Sequence, residues 1–195
     1  MPRERTVAPR RLRLSNIVAI IAVFLLVGIG GQVAWEWVTH PIRYETVIAE
    51  ESERFDVDPY LVAALINAES GFDAAEVSSA GAVGLMQLLP STAAELAVEI
   101  GIEGEIDKER LKDPELNIKL GTRHLADLLA RYGHTRTALA AYNAGGGNVD
   151  AWLEASGEAS VGVSLPFPET EAYVERVLSE VARYRELYPT AFEGG

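Results

Sequence analysis

Glu69 is the residue of this sequence whose surroundings point most directly to chemistry. It follows Leu61 by eight residues, Leu65 by four and Ile66 by three. In a helix those offsets put its carboxylate on the apolar face, in the last turn before Gly71. A solvated glutamate belongs on the opposite face, where Asn67 sits. Among apolar neighbours the charged form is disfavoured and the pKa rises. A proton held near neutral pH is what a general acid needs. Read alone, the position suits equally a helix-end glutamate whose tip reaches water or caps a loop amide.

The elements that must position Glu69 read as helices. Asp58-Pro59 is a start signal, an N-cap followed by proline at the first helical position. Leu61, Val62, Leu65 and Ile66 form the apolar stripe, and Gly71 ends it. Before this helix Tyr44, Val47, Ile48 and Phe55 keep helical spacing. Thr92-Ala-Ala-Glu95 has the form of a capping box and predicts a helix that stops at Gly101. Asp113-Pro114 repeats the cap-plus-proline device, and Leu116, Leu120, Leu125, Leu128 and Leu129 carry that helix to Tyr132-Gly133. Near the end Tyr173, Val177, Val181 and Tyr184 share one face, with Glu and Arg on the other. Gly104 to Asp107 has room for a short extended piece, but no alternating strand pattern or internal repeat occurs. The expected fold class is mainly α.

The chain has 195 residues, 17 Lys+Arg against 29 Asp+Glu, a net charge of −12, 48% hydrophobic residues and no cysteine. That length buries the core of one ordinary domain. Without cysteine there is no disulfide, thiolate nucleophile, cysteine-held zinc or lipid-modified N-terminal Cys. His40, His124 and His134 lack metal-ligand spacing, so neither a metal nor a cofactor is expected. The acidic balance excludes a nucleic-acid partner, whose binder should be basic.

The charge is unevenly spread. Residues 1–15 hold five arginines against one glutamate, a balance of +4, and the remaining 180 carry −16. Between the two regions Asn16 to Trp35 is uncharged for 20 residues, long enough for a helix across a bilayer. The expectation is a cytoplasmic tail over 1–15, a transmembrane signal anchor over 16–35, a linker over 36–43 and an extracytoplasmic domain over 44–190. Trp35 and Trp37 fit an aromatic belt at the membrane surface. The alternative is a cleaved signal peptide and secretion, although Gln32 stands where a cut after Ala34 needs a small residue.

Several motifs follow Glu69 in order. Glu69-Ser70-Gly71-Phe72 precedes Val77-Ser78-Ser79-Ala80-Gly81-Ala82-Val83-Gly84-Leu85-Met86-Gln87, then Pro90-Ser91-Thr92-Ala93. Ala141-Tyr142-Asn143-Ala144-Gly145 comes later, then Pro168-Glu169-Thr170 with Tyr173-Val174. With these motifs the chain resembles the bacterial lytic transglycosylases of the soluble-lytic-transglycosylase type, relatives of goose-type lysozyme. The resemblance runs from about Tyr44 to Tyr188.

This resemblance implies a lysozyme-like domain that binds peptidoglycan glycan strands. It implies cleavage of the β-1,4 bond between N-acetylmuramic acid and N-acetylglucosamine. Glu69 would act as general acid and then as base on the C6 hydroxyl, closing a 1,6-anhydro ring. One carboxylate then suffices, whereas ordinary glycosidases use a second at ~5–5.5 Å or ~6.5–9.5 Å. Asp73 and Glu76 are the nearest candidates for a second and read first as solvated loop acids. One of them facing Glu69 would instead make a hydrolytic muramidase.

By position, Ser78 matches the family's serine near the acid and substrate, or simply caps a turn. Met86 and Gln87 match the cleft wall, Met86 equally suiting a core. Tyr142 and Asn143 match the pair facing the acid, and a carboxyl suits a buried tyrosine hydroxyl. Glu169 and Tyr173 match the motif lining the cleft near the stem peptide. Glu169 is equally favourable as an ordinary first-turn acid. The chain departs from the family at Gly145-Gly146-Gly147, where proline often follows the motif and a more flexible loop is expected. His124 stands where an aromatic is common. A peptidoglycan-binding scaffold without activity is the reading of another class, and an intact Glu69, Gln87 and Tyr142 argue against it.

Overall fold

The computed structural model describes residues 40–157 and 167–193. The span expected at 16–35 lies outside the described residues. Among the described residues no helix is long and apolar enough to cross a membrane.

Helix formation follows the caps. In α1 (Glu45–Phe55) Ile48 is fully buried. In α2 (Pro59–Ser70) the Asp58 carboxylate accepts the Tyr60 amide at 3.0 Å, and Gly71 closes the helix at φ 59°. Leu61 through Ile66 are all buried, so α2 is enclosed on every side and not only along a stripe. α4 (Pro114–Tyr132) repeats the design. Asp113 accepts the Leu116 amide at 2.9 Å, and Gly133 stops the helix at φ 67°. The last helix, α7 (Pro168–Leu187), buries Tyr173, Val177, Val181 and Tyr184.

Other elements differ from the expectation. α3 (Pro90–Glu99) begins two residues before Thr92. Pro90, with φ already fixed and no amide hydrogen to satisfy, starts it better than the expected box. α5 (Thr135–Ala144) and α6 (Gly146–Ser156) are separated by Gly145 alone, at φ 86°. The glycine run is therefore a one-residue helix junction, not a loop. The Tyr132 hydroxyl donates to the Gly146 carbonyl at 3.1 Å and holds it. A 3-10 turn covers Arg110–Lys112. Gly104 to Asp107 forms no bridge, and the isolated antiparallel bridges are Val77 with Val83 and Val83 with Leu88.

α2 packs on α1 and most extensively on α7, while α5 packs on α4, α6 and α7. The main core joins Ile48, Leu65, Ile118, Leu125, Leu139 and Val177. A smaller core, with Val83, Leu88, Leu96, Leu111 and Leu120, supports the segment from Val77 to Leu88. Asn117 of α4 fixes that segment from below. Its Oδ1 accepts the Met86 amide at 2.8 Å, and its Nδ2 donates to the Val83 carbonyl at 3.0 Å and the Leu111 carbonyl at 2.8 Å. Gly84, at φ 83°, must be glycine, because a Cβ there would lie 2.3 Å from Asn117 Nδ2.

Replacing this amide strands the buried Met86 amide and takes a donor from the Val83 and Leu111 carbonyls, of which Val83 keeps the Leu88 amide. Asn117→Ala is expected to cost about 3–5 kcal/mol, read from urea unfolding. A loss below about 1 kcal/mol would mean that the segment is held elsewhere.

Candidate active site

Glu69 is the penultimate residue of α2, and burial there serves a purpose the helix end alone does not. Its side chain turns towards α7, where the Tyr173 hydroxyl donates to Glu69 Oε1 at 2.5 Å. Next to it, the Ser70 hydroxyl donates to the Leu85 carbonyl at 2.8 Å and ties the helix end to the Val77–Leu88 segment. From the other side, the Tyr142 hydroxyl of α5 donates to the Met86 carbonyl at 2.8 Å. Three elements thus meet around one carboxyl.

They leave a cleft of about 510 Å³. Its lining includes Glu69, Ser78, Gln87, His124, Tyr142 and Asn143. Glu69 is the one carboxylate among the described residues that line it. Asp73 is exposed and its Oδ1 accepts the Ala75 amide at 2.9 Å; Glu76 is also exposed, and neither lines the cleft.

The remaining expected site residues fall in different places. Ser78 both lines the cleft and caps a turn, its Oγ accepting the Ala82 amide at 3.0 Å. Gln87 holds φ 48°, and its Nε2 donates to the Gly84 carbonyl at 2.8 Å and the Glu76 carbonyl at 3.2 Å. The Met86 side chain is fully buried beneath the wall, in a notch where a Cβ on residue 121 would lie 2.3 Å from its sulfur. Glu169 is exposed in the first turn of α7 and is not among the lining residues. The tyrosine bonded to the acid is Tyr173, whereas Tyr142 bonds the wall carbonyl.

Leu88, Leu89 and His124 are lining residues that the sequence motifs do not include, and His124 is the one of them that can titrate. Its ring packs against that of Tyr142, centroids 5.2 Å apart. Its signal was positional: it follows Leu120 by four residues and precedes Leu128 by four, on the apolar side of α4.

The electrostatics are set by burial. Glu69 is pushed above its ordinary range by desolvation, against the Tyr173 hydrogen bond and the Arg176 charge, which both favour the carboxylate. Arg176 lies over the Tyr173 ring, 5.5 Å from its centroid. Desolvation, and then the charge of Glu69, hold both Tyr173 and Tyr142 well above the usual phenol range, so they act as donors and not as bases. Burial lowers His124, against the charge of Asp127, and favours the neutral imidazole. The chemistry available is proton transfer by one carboxyl to a group bound in the cleft.

This enclosed helix, carrying an acid into a cleft, defines a lysozyme-like α domain. Residues 46–161 match the family model described as the transglycosylase SLT domain, and the chain belongs to that family. It is 35% identical over 150 residues to the soluble lytic murein transglycosylase of Escherichia coli K12, covering 74% of this chain and 23% of that one. The membrane-bound lytic murein transglycosylase C of Actinobacillus pleuropneumoniae is 30% identical over 149 residues, covering 72% and 39%. Among solved structures, the 70 kDa soluble lytic transglycosylase of E. coli superposes with a TM-score of 0.71 at 33% identity, over 77% of this chain and 25% of that one. An inactive glutamate-to-glutamine mutant of the Pseudomonas aeruginosa lytic transglycosylase gives 0.69 at 30% identity, over 77% and 25%. The chain spans about a quarter of the length of the soluble relatives.

Tyr173→Phe removes a bond that favours the carboxylate, so the pKa of Glu69 is expected to rise further. Carbon-13 NMR titration of the labelled glutamate carboxyl measures it, and a downward shift would contradict this account of the site.

Proposed function

We propose that this chain is a peptidoglycan lytic transglycosylase using Glu69 as its sole catalytic carboxyl. The observation that carries this reading is that Glu69 is the one carboxylate among the described residues lining the cleft, so none of them supplies a second carboxylate as nucleophile or as base for water. The transglycosylase names of its relatives, and an inactive relative with glutamate changed to glutamine, support the same assignment.

In the proposed reaction the Glu69 carboxyl gives its proton to the glycosidic oxygen as the bond from the muramyl anomeric carbon breaks. The resulting carboxylate removes the proton of that sugar's C6 hydroxyl. The C6 oxygen then bonds to the anomeric carbon, leaving an N-acetylglucosamine end and a 1,6-anhydromuramyl end. Glu69 is protonated again, and no water is consumed. The raised pKa serves the first step, and Tyr173 and Arg176 stabilise the carboxylate needed for the second. Ser78, Gln87 and Asn143 present polar groups to the sugar and acetamido atoms, and Tyr142 holds the wall opposite Glu69. Met86 supports that wall from beneath through its buried side chain, Tyr173 holds the acid, and Glu169, outside the cleft lining, would meet the stem peptide only beyond the cleft. The domain, over 44–190, would act outside the cytoplasm and be held to the membrane by 16–35, with 1–15 inside.

Glu69→Gln keeps the shape and removes the transferable proton, and is expected to lower turnover of purified peptidoglycan by about a hundred- to ten-thousand-fold. Mass spectrometry of the wild-type products should give muropeptides one water lighter than hydrolysis products. Reducing-end muramyl products would assign hydrolysis instead, and full activity in Glu69→Gln would overturn the mechanism.

A further inference from the structure

A second concavity, of about 650 Å³, lies at the opposite end of α2 from Glu69. Pro59, the first residue of that helix, lines it, and at 1.5 Å per residue the acid is about 15 Å further along. Glu45, Glu50, Glu53, Asp56 and Glu193 line this groove, and no lining residue is basic. None of the five forms an ion pair among the described residues; the nearby Arg54 pairs with Glu51 at 3.1 Å. Glu53 and Asp56 also stand at the C-terminal end of α1, where the helix dipole opposes negative charge. This collection is therefore self-repelling, and a cation bound there would relieve it.

Two further features narrow the ligand. Ser52 lines the groove at 2% exposure, and its Oγ has no hydrogen-bond partner. Ala49, Val57 and Phe192 give the groove an apolar floor, with Phe192 fixed edge-on against Tyr60 at 5.0 Å. The charge is distributed: among the described residues no three acidic or histidine side chains converge enough to hold one metal ion. A spread of carboxylates over an apolar floor matches an extended chain that alternates cationic and apolar side chains.

We propose that this groove docks a lysine- or arginine-rich segment of a partner protein. The cationic groups meet the rim carboxylates, backbone or side-chain polar groups answer Ser52, and apolar side chains cover Phe192. A partner held there leaves the cleft open, and the charge of the domain acquires a role in association. The inference stands apart from the reaction proposed for Glu69, since binding alone tests it.

The test uses the full chain in phosphatidylcholine nanodiscs and a fluorescein-labelled peptide of alternating arginine and leucine, followed by anisotropy. At about 50 mM NaCl saturable binding is expected. It should weaken at least about tenfold in the combined variant Glu50→Gln, Glu53→Gln, Asp56→Asn, and as much in Ala49→Arg. The charge-matched variant Glu95→Gln, Glu105→Gln, Glu115→Gln should change it by less than about twofold. Thermal melts identify any variant that fails to fold, and the other groove variant then decides. Equal weakening by both triple variants would mean diffuse attraction to an acidic surface and overturn the proposal, as would the absence of saturable binding. Binding seen only after R3Q, R5Q, R10Q, R11Q and R13Q would assign the groove to the chain's own arginine-rich N-terminus and also overturn it.

Discussion

The hydrogen bond from Tyr173 to Glu69 is the interaction on which the arrangement of the site depends. It joins α7 to α2 across 104 residues of sequence and aims the acid. Its geometry is set by the packing of these two helices, which is the most extensive in the fold. Arg136 of α5 pairs with Glu171 and Glu175 on α7 and so holds the same helix from its other side. Ion pairs at such partly exposed positions contribute little energy, but they restrict how α7 can rotate. A small rotation would withdraw the Tyr173 hydroxyl and leave a desolvated carboxyl without a donor, which is costly.

The facing wall is supported separately. Asn117 fixes the Val77–Leu88 segment through backbone groups, and Tyr142 fixes its Met86 carbonyl. The cleft therefore has one side set by helix packing and another by a fully bonded buried amide. Such an amide is stabilising only when every partner is in place. It can specify one position for a segment that has almost no regular secondary structure.

How much of this was legible depends on whether the signal was local. The bounds of α2 and α4 could be read because an Asp-Pro start and a glycine stop coincide with an apolar pattern at both. α3 was misjudged at its start, where Pro90 prevailed over a plausible box at Thr92. α5 and α6 were not read at all. One buries mostly alanine, which marks the apolar face only faintly despite its good helix propensity, and the other opens on two glycines, which are poor helix formers. In the site, the unusual position of Glu69 was visible from helical spacing alone, and its family role rested on motifs. Which tyrosine meets it was not visible, because that is decided by how α7 and α5 dock rather than by any spacing. His124 carried the same kind of positional signal as Glu69, but the sequence marked it only as standing where an aromatic is common, and its packing on Tyr142 depends on how α4 and α5 dock.

The notch at Gly121 has a consequence for the chain's redox chemistry. The sequence contains two methionines and no cysteine, so Met86 holds the sole sulfur atom besides that of Met1. That sulfur is enclosed, with the Thr122 hydroxyl 4.0 Å away. Peroxide can reach it only when the segment above lifts from α4. Sulfoxide formation, which turns an apolar side chain into a polar one, would then prevent the segment from settling back into its notch. An oxidised Met86 in the folded domain would therefore mark a wall that had opened, on a single atom.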